Sequence, residues 1–109
     1  MSFNLNQTPA CWIVTVPNNA SFGGSTLTTL TVNGLQAYAN GMIFQNTSSG
    51  AVTVELNKLP SAQFLLEGNS EITIPPGMMV ITSFDFENIS SSGDGGSSSK
   101  IVVIAGLAN

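Results

Sequence analysis

The sequence predicts an all-β fold, with about eight short strands in a β-sandwich or a jelly-roll-like barrel. Three observations predict it. Apolar and polar residues alternate in short runs, the two-residue period of a half-buried strand. Gly, Pro, Asn and Ser clusters separate these runs at the regular spacing, about 8–12 residues, of sandwiches and barrels. No segment sustains the 3.6-residue period of an amphipathic helix.

The elements follow in order. Residues 1–9 read as a polar N-terminal arm and residues 10–109 as one β-sandwich domain. Cys11 to Val16 is a strand stopped by Pro17-Asn18-Asn19. Ser25 to Val32 is rich in threonine (26, 28, 29 and 31) and suits a strand with one wet face. Leu35 to Ala39, between Gly34 and Gly41, fits a short strand or one helical turn. Met42 to Asn46 and Ala51 to Asn57 flank Ser48-Ser49-Gly50 as a hairpin. In the second of these, Val52, Val54 and Leu56 share one face, while Thr53, Glu55 and Asn57 share the other. Another hairpin joins Phe64–Leu66 to the alternating Glu71–Ile74 through the turn Glu67-Gly68-Asn69-Ser70. Pro75-Pro76-Gly77 ends it, since proline has no N–H for a ladder. Val80 to Glu87 reads as one long strand, with Val80, Thr82, Phe84 and Phe86 on one face and Ile81, Ser83, Asp85 and Glu87 on the other. Residues 90–99 form a flexible Ser/Gly loop. Lys100 to Leu107 is apolar on both faces, which places it centrally or under a partner.

Composition excludes most chemistry. The chain has 109 residues, enough for one domain. Surface scaling gives a core that buries about 65% of the unfolded surface without disulfides. Hydrophobic residues make up 42% and charged residues 7%, against roughly 25% charged in ordinary domains. There are two lysines, no arginine, no histidine and six carboxylates, for a net charge of -4. Without histidine there is no Ser-His-Asp triad, Cys-His pair or imidazole metal site. Without arginine there is no bidentate phosphate fork. Lys58 and Lys100 do not neutralise a nucleic-acid backbone. The exterior must be Ser, Thr, Asn, Gln and Gly, which protects weakly against self-association and suits life inside an assembly.

The sequence predicts no signal peptide, because the first nine residues carry no cation and no apolar stretch follows. It predicts no membrane span, since the longest apolar runs fall far short of ~20 residues. Synthesis in a cytoplasm follows as an expectation. Sequons at Asn6, Asn19, Asn46 and Asn88 are by-products of composition.

Candidate constellations are few. Cys11 is the lone cysteine and reads as a small buried hydrophobe, with an intermolecular bridge as the alternative. Asp85 and Glu87, two apart on one strand face, read as solvated carboxylates that deter aggregation; half a calcium site, completed by Asn88 or Asp94, is the alternative. A glycosidase pair lacks a groove of aromatics. Gly93 to Ser99 lacks the lysine and helix of a phosphate loop, and Lys58 before Ser61 reverses the order of a Ser-Lys dyad. Trp12 and Tyr38 read as core or interface residues rather than a sugar platform. Met78-Met79 reads as gap filling or contact surface. No catalytic residue, cofactor or metal is expected.

Asn46-Thr47-Ser48-Ser49-Gly50-Ala51-Val52-Thr53-Val54 is followed by Ile72-Thr73-Ile74-Pro75-Pro76-Gly77, a long strand, a Ser/Gly loop and an apolar strand ending in Gly106-Leu107. Over roughly residues 42–107 this order of elements and turns resembles small virion proteins of tailed bacteriophages, the capsid decoration or cement proteins and related accessory β-modules. The resemblance implies a sandwich or jelly-roll unit on a capsid or tail, partnered by the major capsid protein or another virion protein, and often trimeric or otherwise symmetric. It brings no catalytic residues. The expectation is a non-enzymatic virion structural protein. A carbohydrate- or cell-surface-binding module of a virion or adhesin is the alternative, and a small barrel enzyme such as a cupin is disfavoured by the missing histidines.

Overall fold

A computed structural model describes residues 7–88 and 98–109. Among the described residues ten strands follow one another: β1 (Thr8–Val16), β2 (Thr28–Thr29), β3 (Thr31–Val32), β4 (Leu35–Gln36), β5 (Tyr38–Asn46), β6 (Val52–Leu56), β7 (Gln63–Leu66), β8 (Glu71–Ile74), β9 (Ser83–Glu87) and β10 (Ser99–Ala108). The first sheet has the order β1-β10-β5-β8, the second β2-β9-β6-β7, and β3-β4 is a separate ribbon. Every pairing is antiparallel. With the ribbon set aside, the remaining eight strands read 1-8-3-6 and 2-7-4-5 in chain order. First pairs with last, second with seventh, third with sixth and fourth with fifth, which is the jelly-roll arrangement. The all-β expectation holds, and strand order selects the jelly-roll sandwich.

Burial of the alternating apolar faces holds the two sheets together. Phe44 of the first sheet is fully buried and meets Phe64, Phe84 and Phe86 of the second edge-to-face, with ring centroids 5.7, 5.9 and 6.2 Å away. Trp12 closes the cluster 5.3 Å from Phe84. Val52, Val54 and Leu56 are buried as their spacing predicts, and β10 lies between β1 and β5, as a strand apolar on both faces requires.

Several elements differ from expectation. The long strand over 80–87 begins only at Ser83. The side chain of Asn57 explains this: its Nδ2 donates to the Val80 carbonyl at 2.8 Å and its Oδ1 accepts the Thr82 N–H at 2.7 Å. Those are the groups a neighbouring strand would have used. The strand expected over Ser25 to Val32 is split at Leu30, whose N–H donates to Thr82 (3.0 Å) while its carbonyl accepts from Ala37 (2.9 Å). The chain changes partners there. Leu35 to Ala39 is extended, and Asn33 and Gly34 (φ 53° and 79°) make the two-residue turn between β3 and β4. Positive φ at both central residues marks a type I′ hairpin. Thr8 and Pro9, assigned to the arm by sequence, belong to β1. Most of the loop placed at 90–99 lies outside the described residues, and Ser99 opens β10.

Adjacent connections alternate between the ends of the sandwich. One end carries residues 17–27, 47–51 and 67–70; the other carries the ribbon and residues 57–62 and 75–82. At the first end the Asn69 N–H donates to the Ser48 carbonyl at 2.9 Å, and a Cβ on Gly68 would overlap the Ser49 carbonyl group. Gly68→Ala is expected to cost about 1–3 kcal/mol, the usual range for forced overpacking. Urea unfolding would show it as a lower midpoint at unchanged slope.

Candidate docking surface

The exposed large apolar side chains are unevenly placed. Leu35, Tyr38, Leu59, Met78 and Val80 all lie at the end that carries the ribbon and the 57–62 and 75–82 loops. Met78 and Leu35 are the most open, at 64% and 65% exposure. Ile13 and Ile104 lie on the outer face of the first sheet and Leu65 on the outer face of the second. No exposed large apolar residue among those described lies at the opposite end. That end shows Asn19, Ser21, Ser25, Thr47, Ser49 and Asn69 instead.

Side-chain amides fix the apolar end. Besides its bonds to Val80 and Thr82, Asn57 donates its own N–H to Ser83 at 2.9 Å, and it holds φ 58°. Asn40 Oδ1 accepts the Gly77 N–H at 2.8 Å, and Asn109 Nδ2 donates to Val32 at 3.2 Å. Asn57 thereby ties the 57–62 loop to the 75–82 loop, Asn40 ties that loop to β5, and Asn109 ties the last residue to the ribbon. Gly41, at φ 112°, lets β5 pass under this end; a Cβ there would meet the Ile74 carbonyl at 2.9 Å.

An open groove of about 320 Å³ runs from this end onto the first sheet. Gln7, Asn40, Ile43, Thr73, Pro76 and Ile104 contribute to its lining, and no ionisable side chain among the described residues does. The described lining offers apolar contact and hydrogen bonding.

The constellations read from sequence take definite places. Asp85 is not a solvated carboxylate: it is 2% exposed. Its carboxylate accepts from Thr26 Oγ1 (2.7 Å), from the Phe86 N–H (2.9 Å) and from the Gly23 N–H. The 17–27 loop folds over the outer face of β9 and closes on it. Thr26 is accordingly buried and Thr28 half-buried, while Thr29 and Thr31 are exposed. Glu87 remains half-buried on the same strand face. Glu55, opposite Asp85 on β6, is buried and accepts from Gln63 Nε2 at 2.8 Å. Among the described residues no group of three or more Cys, Asp or Glu is arranged to hold a metal. Asp94 and the Gly93–Ser97 stretch lie outside them.

Cys11 is exposed, a correction to its expected burial. Alternation along β1 turns Trp12, Val14 and Val16 inward, so Cys11, Ile13 and Thr15 face out. Trp12 and Tyr38 do not form a platform: Trp12 packs on Phe84 opposite Val103, and Tyr38 lies opposite Ala108, further along β10. Met78 is exposed and Met79 packs against the core. Asn46 and Asn88 are buried, so neither sequon is open in the folded chain. Lys58 is exposed in a left-handed turn. No described helix is long and apolar enough to cross a membrane. The chain matches no protein-family model and no curated protein.

Proposed function

We propose that this chain is a non-enzymatic structural protein of a virion, a capsid decoration or cement protein that seats its apolar end on the assembled shell. One observation carries the reading: exposed large apolar side chains gather at one end of the jelly roll and are absent from the described residues of the other. Monomeric soluble domains rarely expose contiguous apolar patches of more than a few hundred Å² unless the patch meets a partner. The partner is the major capsid protein or another virion protein, and the Asn-tied loops present the contact side chains with little ordering cost. The Ser, Thr and Asn around the patch add hydrogen bonds without the desolvation cost of charges.

The double variant Met78→Asp, Val80→Asp tests this. Both side chains are exposed, so the far-UV spectrum should be unchanged. Occupancy on particles purified from the encoding source should fall at least about 10-fold, because each buried unpaired carboxylate costs more than ~1.4 kcal/mol. Absence of the chain from such particles, or equal occupancy of the variant, rejects the reading.

A further inference from the structure

Four strands close the edges of the two sheets: β1 and β8 in the first, β2 and β7 in the second. Three are guarded in the ways natural sheets use against edge pairing. β2 has two residues, and β7 and β8 have four each. Glu71 opens β8, and Glu67 directly follows β7. β1 is different. It has nine residues, none charged, and among the described residues it pairs on one side only, with β10. Its Pro9 lies near one tip, where a missing N–H interrupts little.

We propose that β1 pairs antiparallel with β1 of a second copy across a two-fold axis, joining the two first sheets into one eight-stranded sheet. The pairing stands whether or not the module attaches to a virion. Three observations select a second copy as the occupant. First, charge permits it. Each chain carries a net charge of -4, yet no charged residue precedes Glu55, so β1 and the loop and short strands beside it bring no like charges together. Second, the outward apolar row of β1 continues inward across the sheet. Cys11 lies opposite Ile104, which lies opposite Ile43, and Ile13 lies opposite Val102. Ile13, at 68% exposure, is the most open large apolar side chain among the described residues. Pairing the edges covers it and makes one continuous strip. Third, the size allows it. A nine-residue strand is about 30 Å long. With a molecular width of 24 Å, that side offers at most roughly 700 Å² per copy, an upper bound close to the ~800 Å² per partner of standard interfaces.

Register is restricted by the pleat. Trp12 faces the core and Cys11 faces out, so only pairings that keep those faces are allowed. Full overlap centres the axis on Trp12, the midpoint of Thr8–Val16. It sets Cys11 of one copy opposite Ile13 of the other and the two Cys11 residues diagonally, about 7–8 Å apart. Cys11 is the chain's single cysteine, so any thiol cross-link reports this pair.

The full-length chain is examined by light scattering and by reaction with a short bismaleimide. The expected result is a mass of two chains of 11.3 kDa and a covalent dimer as the main product. Ile13→Lys and Thr15→Lys, both outward and exposed, should keep the far-UV spectrum and weaken the dimer at least 10-fold. A monomer at about 100 µM overturns the proposal. So does a trimer, or an oligomer that resists Cys11 cross-linking and survives Ile13→Lys.

Discussion

Phe44→Ala is expected to remove about 3–5 kcal/mol of stability, the range for truncating a large buried aromatic. Phe44 is fully buried and reaches across the sandwich to three rings, Phe64, Phe84 and Phe86. Truncation removes its transfer energy, leaves a cavity between two sheets that strand ladders keep from collapsing, and deletes three edge-to-face contacts worth about 0.5–1.5 kcal/mol apiece. A domain of this size holds about 5–15 kcal/mol in all. The variant should therefore be partly unfolded at 37 °C, with a melting temperature lowered by more than about 10 °C. Phe44→Leu, which keeps most of the volume, should lose less than half as much. Equal losses for the two variants, or a shift below about 4 °C for Phe44→Ala, would show that the ring cluster does not join the sheets.

Asp85→Ala should cost about 2–4 kcal/mol. Removing the carboxylate takes an acceptor from the Gly23 N–H, the Phe86 N–H and the Thr26 hydroxyl, and a buried donor left unpaired costs about 1–3 kcal/mol. Gly23 is exposed, Thr26 Oγ1 also donates to the Phe86 carbonyl at 3.1 Å, and it also accepts the Phe86 N–H at 3.3 Å, which together offset part of the loss. The damage should be local as well as global. Amide exchange at residues 21–27 should rise far more than at β10. A double-mutant cycle with Thr26→Val should show coupling above about 0.5 kcal/mol. Millimolar calcium should shift the melting temperature of the native chain by less than about 1 °C, because the carboxylate already serves the loop. A calcium-dependent rise that vanishes in Asp85→Ala would show that the carboxylate serves an ion.

Where sequence is informative, local alternation decides the outcome. Val52, Val54 and Leu56 face the core as spaced, and the doubly apolar Lys100 to Leu107 lies inside a sheet. The failures are tertiary. Asp85 looks wet because its cover comes from Gly23 and Thr26, about sixty residues earlier. Val80 to Glu87 looks like one strand because nothing local shows that Asn57 occupies its backbone. Cys11 lies in the run Ala10 to Val14, apolar throughout, where no alternation reveals which face is in. The Asn33-Gly34 hairpin is a different case: the dipeptide is itself a direct signal for a two-residue turn. The apolar end is invisible in sequence, because Leu35, Leu59, Met78 and Val80 become neighbours only through jelly-roll connectivity.

The pairing of β1 with β10 joins the first strand to the last over nine positions. β10 also separates β1 from β5, so the first sheet has a gap until the C-terminal residues are made. At about 5–20 residues per second, translation leaves β1 waiting for several seconds beside other nascent copies. A chain with this topology completes its first sheet only once β10 has emerged from the ribosome. Its yield in a cell is therefore set by how well the unfinished N-terminal half is kept from its neighbours during that interval.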